Sequence, residues 1–143
     1  MVGCASAPPR SPYVPQASVA SAQQSADAAV HAIGLVGTPY SWGGNTIAGG
    51  FDCSGLIAFV YRTSAGIKTP RTVSQMAGFG DLVEREDLRT GDLVLFGGAS
   101  PTHAGIYVGE GRFVHAPSSG GTVRLDRLDS PYWAKVSQVI RRP

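Results

Sequence analysis

The spacing of the apolar residues changes at Gly91, and this change limits the fold more than any other feature of the sequence. Before it, residues 22–36 place apolar side chains at three- and four-residue steps, which predicts a helix with one apolar face. That face carries Ala26, Ala29, Val30 and Ile33. After Gly91, short apolar runs separated by Gly, Ser, Pro and Asp predict strands at 92–96, 104–108, 112–116, 122–125 and 136–140. Helices followed by an antiparallel sheet indicate an α+β domain rather than a doubly wound one.

Two further helices are predicted between these parts of the chain. Residues 51–65 are strongly apolar, and they follow a glycine-rich loop at residues 40–50. Asp52 is placed to accept backbone N–H bonds near the start of this helix, and Gly66 suits its C-terminus. Residues 72–75 have the pattern of a capping box, which predicts a short third helix.

The composition narrows the classes of function. A chain of 143 residues has the size of one domain, and the fold is assigned to residues 22–143. Two cysteines make at most one bridge, which excludes a disulfide-dense scaffold and a four-cysteine zinc site. The net charge is +2 and no basic run is longer than Arg141-Arg142, so no nucleic-acid partner is expected. No apolar run approaches the roughly 18 residues that span a bilayer.

Residues 1–21 differ from the rest of the chain. They are rich in Pro, Ser and Ala with a single charged side chain, which predicts an extended, mobile linker. Small residues on both sides of Cys4 resemble the cleavage site of a bacterial lipoprotein signal, where the Cys becomes the lipidated first residue. A chance tripeptide is the alternative. A lipidated Cys4 would tether the domain to a membrane outside the cytoplasm.

Cys53 is the first candidate for chemistry, since it lies beside Asp52 at the predicted start of an apolar helix. The thiolate is the reactive form of cysteine, and the unpaired N–H groups of a helix N-terminus favour an anion there. A neighbouring imidazolium would favour the thiolate further. The alternative is a buried structural cysteine that packs like a small apolar side chain.

His103 and His115 are the matching candidates for a base and the group that orients it. They lie one near the start of each strand of a hairpin whose turn is residues 109–111. Neighbouring antiparallel strands can bring such positions together, and a catalytic base needs both the nucleophile and a second polar group within hydrogen-bond reach. Cys53, His103 and His115 therefore predict a catalytic triad. His31, in the first predicted helix, has no polar partner in its own turn and is interpreted as structural.

Two other interpretations use the same atoms. Cys53, His103 and His115 could bind zinc, although the sequence has neither short paired ligand spacing nor an obvious fourth ligand. A disulfide between Cys4 and Cys53 would also account for both cysteines.

Five segments of the sequence resemble, in order and spacing, the NlpC-type cell-wall cysteine peptidases, a papain-like group of bacterial peptidoglycan endopeptidases. These segments are residues 37–46, 50–55, 91–96, 103–109 and 113–116. The resemblance extends over about residues 22–141, and within the family the chain is similar to the small Spr-type lipoproteins of Gram-negative envelopes. It implies a papain-like α+β fold whose catalytic Cys lies at a helix N-terminus packed on an antiparallel sheet.

The resemblance also implies a role for individual residues. The implied catalytic residues are Cys53 as nucleophile, His103 as its base, His115 as the group that orients His103, and Tyr40 as a donor to the oxyanion. The implied substrate-groove residues are Asp52, Ser54 and Arg71.

The implied reaction is hydrolysis of a stem-peptide amide, between γ-D-glutamate and a diamino acid such as meso-diaminopimelate. It passes through an acyl-enzyme and needs neither a cofactor nor a metal. The implied protein is a monomer of the cell envelope, a periplasmic outer-membrane lipoprotein, and no motif for a protein regulator is visible. Two alternatives stay open: a papain-like acyltransferase or amidase acting on another substrate, and a wall-binding module that has lost catalysis.

Overall fold

The structure of the protein is a computed structural model that describes residues 19–143. Most of the predicted linker and the predicted lipidation site at Cys4 lie outside these residues. Within residues 19–143, no helix combines the length and the apolar character needed to cross a membrane.

The helices that the structure describes follow the predicted order, with one addition. They are α1 (Ala22–Gly34), α2 (Cys53–Ala65), α3 (Val73–Met76) and α4 (Pro131–Ala134). The side chains of Ser21 and Thr72 cap α1 and α3 by accepting backbone N–H bonds at 3.0 and 3.3 Å. The sequence predicts the first three helices, whereas the single turn of α4 is too short to show a period.

The predicted apolar face of α1 is only partly buried, since Ala29 is 3% exposed but the two larger apolar residues of the face are exposed. Val30 is 69% exposed and Ile33 is 47% exposed, while Ala28 and Ala32 are fully buried. α1 packs on α2 through these small side chains, which let two helix backbones approach closely. The predicted helix and the burial of Ala29 are confirmed, whereas the prediction is wrong for Val30 and Ile33 because alanines line the buried side of the helix.

The strands form a two-stranded ribbon and a six-stranded sheet. They are β1 (Asn45–Thr46), β2 (Gly50–Phe51), β3 (Asp81–Val83), β4 (Leu93–Phe96), β5 (His103–Gly109), β6 (Arg112–His115), β7 (Arg124–Arg127) and β8 (Gln138–Arg142). β1 pairs with β2, and the larger sheet has the order β3-β8-β4-β5-β6-β7 with every neighbouring pair antiparallel. All five predicted strands are present, but β7 and β8 each begin two residues later than expected.

The turn between β5 and β6 is the predicted hairpin. Gly109, Glu110 and Gly111 all have positive φ, at 102°, 53° and 75°. Two glycines adopt these angles without steric cost, which lets the chain reverse within three residues.

The core lies between α2 and the middle of the large sheet. Leu56, Ile57 and Val60 of α2 are fully buried, as are Leu93 of β4 and Ile106 of β5. The arrangement confirms the predicted α+β class, in which the helix that begins at the candidate cysteine packs on an antiparallel sheet.

Candidate active site

The N-terminus of α2 presents Cys53 as its first residue. The Asp52 side chain accepts the N–H of Gly55 at 2.7 Å, and the Asp52 N–H donates to the carbonyl of Gly44 at 3.0 Å. A Cβ on Gly55 would lie 1.9 Å from the Gly44 carbonyl oxygen, so only glycine allows this approach. The glycine-rich loop therefore lies directly against the start of the helix.

β5 and β6 bring His103 and His115 together. His103 Nε2 lies 2.7 Å from His115 Nδ1. His103 begins β5, but His115 ends β6 instead of lying near its start as predicted. Antiparallel pairing places the start of one strand beside the end of the other, and His115 pairs with Gly105. A side chain on Gly105 would press on Phe113, 2.7 Å from the ideal Cβ, and on His115 at 3.2 Å.

Cys53 and His103 line the same open groove, which has a volume of about 710 Å³. The backbone of Ala104, the residue after His103, lies near enough to Cys53 to lower the pKa of its thiol. Tyr40 lines the groove on the loop side. The structure thus brings together the residues that the sequence predicts as nucleophile, base and orienting group.

Burial sets the protonation of this pair. Burial raises the pKa of the Cys53 thiol, and the charge of Asp52 raises it further. The backbone N–H groups of Ser54, Ala104 and Cys53 lower this pKa, but by less. Burial lowers the pKa of His103 to about 4, with His115 as a second cause. Both directions favour a neutral thiol beside a neutral imidazole. The helix N-terminus alone suggests a thiolate, and burial acts in the opposite direction.

We therefore expect no thiolate on Cys53 in the free protein at neutral pH. The difference in ultraviolet thiolate absorbance between wild type and Cys53→Ala measures this directly, with His103 protonation followed by NMR as a second signal. A full thiolate signal together with a protonated His103 at neutral pH would contradict the neutral pair. The pH dependence of activity does not distinguish a neutral Cys53–His103 pair from a thiolate–imidazolium pair, because two coupled groups give the same macroscopic pKa values in either case.

The predicted groove residues Asp52, Ser54 and Arg71 form one cluster beside Cys53. Arg71 Nη1 donates to Ser54 Oγ at 2.7 Å and to Asp52 Oδ1 at 3.2 Å. Arg71 Nη2 donates to Asp52 Oδ2 at 3.2 Å and to the carbonyl of Gly43 at 3.0 Å. Arg71 therefore ties the helix cap to the glycine-rich loop, and the cluster presents both charge signs to the groove.

A second cavity, of about 830 Å³, lies on the other side of His103. Trp133 of α4 stacks on the His103 ring, with the ring centroids 5.4 Å apart and the planes at 20°. Thr102, His103 and Ser118 line both cavities. The two cavities therefore adjoin at these three residues.

Asp126 of β7 is the site residue that the sequence analysis missed. His115 Nε2 lies 2.6 Å from Asp126 Oδ2, and Arg124 Nε lies 2.8 Å from the same oxygen. β7 pairs with β6 so that Arg124 faces His115, and Asp126 is two residues further on the same side of the strand. The predicted strand ends at residue 125, so Asp126 lies one position beyond it.

The remaining candidates lie apart from the groove or outside the described residues. His31 Nδ1 lies 2.9 Å from Ser64 Oγ and 3.1 Å from Thr63 Oγ1 of α2, so its partners are distant in sequence. Over residues 19–143, no cluster of three His, Cys, Asp or Glu side chains is arranged to hold a metal ion. The proposed partner of Cys53 in a disulfide, Cys4, is not among the described residues.

The comparisons with known proteins converge on one family. A family model described as "NlpC/P60 family" matches residues 37–142. Among solved structures, a crystal structure of an NlpC/P60 family protein from Bacillus cereus superposes with a TM-score of 0.75 at 31% identity. That match covers 87% of this chain and 40% of the other.

Two curated relatives carry enzymatic names. Murein DD-endopeptidase MepH of Escherichia coli is 39% identical over 105 residues, which is 70% of this chain and 39% of the relative. Gamma-DL-glutamyl hydrolase of Bacillus subtilis is 40% identical over 110 residues, which is 75% of this chain and 26% of the relative. This chain therefore spans well under half the length of either relative.

Proposed function

The chain belongs to the NlpC/P60 family, and on that premise we propose that it is a cell-wall endopeptidase that hydrolyses a peptidoglycan stem-peptide amide with Cys53 as nucleophile. The observation that carries this proposal is the hydrogen-bonded pair of His103 and His115, whose first member lines the groove of a cysteine at a helix N-terminus. One relative is named a murein DD-endopeptidase and another a gamma-DL-glutamyl hydrolase, and both names describe hydrolases.

The proposed first step is attack of the Cys53 sulfur on the amide carbonyl carbon. Because His103 Nε2 is occupied by His115, its Nδ1 is the nitrogen left to take the thiol proton. The carbonyl oxygen becomes an oxyanion, for which the Cys53 backbone N–H and the Tyr40 hydroxyl are the proposed donors. A neutral resting pair fits this order, since the proton leaves the thiol as the carbon–sulfur bond forms.

The proposed second step releases the amine and then the acid. Protonated His103 gives its proton to the leaving nitrogen as the carbon–nitrogen bond breaks, leaving a thioester on Cys53. Neutral His103 then takes a proton from water, whose oxygen attacks the thioester carbonyl. The products are a carboxylate and the free Cys53 thiol, so the cycle needs no other reactant.

The proposed substrate lies along the groove. Asp52, Ser54 and Arg71 hold the acyl part, since their cluster lines the cavity that contains Cys53. The bond between γ-D-glutamate and meso-diaminopimelate is the leading candidate, and a monomeric periplasmic enzyme tethered through a lipidated Cys4 is the proposed setting. The name of the Escherichia coli relative favours a second candidate, the DD-amide of a peptide cross-link.

Digestion of purified meso-diaminopimelate peptidoglycan separates these candidates. We expect mass spectrometry to find new fragments that end in a free carboxylate on γ-D-glutamate. Conversion of cross-linked dimers into intact monomers would instead identify the DD-amide. A product carrying a new amide or ester would indicate acyl transfer, and binding to sacculi without any product would favour a wall-binding module.

A further inference from the structure

Each of the two ring nitrogens of His115 has a hydrogen-bond partner, one in His103 and the other in Asp126. Its Nδ1 lies 2.7 Å from His103 Nε2, and its Nε2 lies 2.6 Å from Asp126 Oδ2. His115 is 1% exposed, so both ring nitrogens depend on these two partners and not on bulk water. His103, His115 and Asp126 thus form a hydrogen-bonded row that ends in a carboxylate on β7, and Cys53 lines the same groove as His103.

An ionised carboxylate only accepts hydrogen bonds, so His115 Nε2 must carry the proton of that contact. Burial lowers the pKa of His115, which favours the neutral ring with a single N–H. Its Nδ1 is then a bare acceptor, and the 2.7 Å contact requires His103 Nε2 to be the donor. Neutral His103 consequently has no proton on Nδ1, the nitrogen needed to accept the thiol proton.

We propose that Asp126 is a positioning residue that fixes the tautomers of His115 and His103 and so keeps the basic nitrogen of His103 free for Cys53. Without an acceptor at Asp126, His115 can carry its proton on Nδ1 and donate it to His103 Nε2. His103 must then carry its own proton on Nδ1, where it blocks the base. The catalytic consequence rests on the proposed function, but the tautomers themselves do not.

Arg124 limits how strongly Asp126 attracts protons. Arg124 Nε and Nη2 lie 2.8 and 3.2 Å from the two oxygens of Asp126. Asp126 raises the pKa of His115 while Arg124 lowers it, and burial has the largest effect of all. The guanidinium thus offsets the carboxylate charge, so the carboxylate accepts a hydrogen bond without making His115 an imidazolium.

The tautomers can be measured without any substrate. Imidazole nitrogen NMR shifts of the wild-type protein at neutral pH should show the proton on Nε2 of both His103 and His115. Asp126→Ala should populate the Nδ1 tautomer of His103 and slow alkylation of Cys53 by iodoacetamide. Asp126→Glu retains a carboxylate, which only accepts hydrogen bonds, and should preserve the wild-type tautomers.

A matched control is Asp129→Ala. Asp129 also pairs with an arginine two residues away, with Arg127 Nε at 2.9 Å, and within residues 19–143 its side-chain ion pair is with this arginine and not with a histidine. We expect this variant to keep wild-type tautomers and alkylation rates.

In a stem-peptide assay, Asp126→Ala should lower kcat by about 10²–10⁴-fold at nearly constant KM, as expected for a base in the wrong tautomer.

Each outcome decides the proposal. A wild-type His115 with its proton on Nδ1 would overturn it, as would an Asp126→Ala protein whose tautomers and alkylation rate match wild type. A glutamate variant whose tautomers and alkylation rate match those of the alanine variant would also overturn it. If wild type cleaves no stem peptide at all, the proposed function fails, while the NMR and alkylation results still decide the role of Asp126.

Discussion

Replacing Cys53 with alanine should reduce stem-peptide hydrolysis by about 10⁴-fold or more and leave the fold intact. Among the described residues, no other side chain of the groove is a thiol. Without Cys53, His103 has no nucleophile to deprotonate. The fold should tolerate the change because alanine is a good helix former and Asp52 provides the cap of α2. The rate of fragment release, read by mass spectrometry, measures the loss.

Cys4→Ala is the matched control for this experiment, because it removes the other cysteine of the chain. A soluble Cys4→Ala protein should cleave at the wild-type rate. Unchanged circular dichroism of Cys53→Ala would show that the lost activity is chemical. Wild-type rates in the Cys53→Ala protein would contradict the proposed nucleophile.

Gly55→Ala should destabilise the protein by about 3 kcal/mol or more, or prevent folding. The new Cβ would lie 1.9 Å from the carbonyl oxygen of Gly44 and 2.8 Å from Asp52 Oδ1. The first neighbour is backbone and the second is the helix cap, so neither can move without separating the loop from the start of α2. Activity should fall as well, since this contact positions Cys53.

Gly34→Ala is the control for backbone flexibility. Gly34 ends α1, and a Cβ there would meet no atom within 4 Å. This substitution should be neutral or slightly stabilising, because alanine favours a helix over glycine. Urea unfolding of the two variants gives the comparison, and equal stability of Gly55→Ala and wild type would show that the close approach is not needed.

The sequence predicts the parts of the fold that have strong local signals. Asp52 and Gly66 mark the ends of α2 because a capping carboxylate and a left-handed glycine are local requirements. β3 has only three residues and Leu82 is 63% exposed, so no alternation distinguishes it from a loop. A long-range pairing with β8 makes β3 a strand, which a local pattern cannot indicate.

The residues of the candidate site also divide into those with a local sequence signal and those whose role depends on long-range pairing. Cys53, His103 and His115 are foreseeable because each has a recognisable position on a helix start or a hairpin. The role of Asp126 cannot be foreseen from a local sequence pattern, since it depends on the register between β6 and β7. The protonation of Cys53 is also beyond the sequence, because burial is a property of the folded chain and here opposes the helix N-terminus. The catalytic roles of these residues stay predictions.

The proposed role of Cys53 as nucleophile is tested most directly by locating the acyl group during turnover. Wild-type protein mixed with a defined γ-D-glutamyl-diaminopimelate peptide is quenched in acid and digested for peptide mapping by mass spectrometry. We expect an acyl group in thioester linkage on Cys53, absent from the Cys53→Ala protein. Acylation of a different residue, or continued hydrolysis by protein whose Cys53 is fully alkylated, would contradict it.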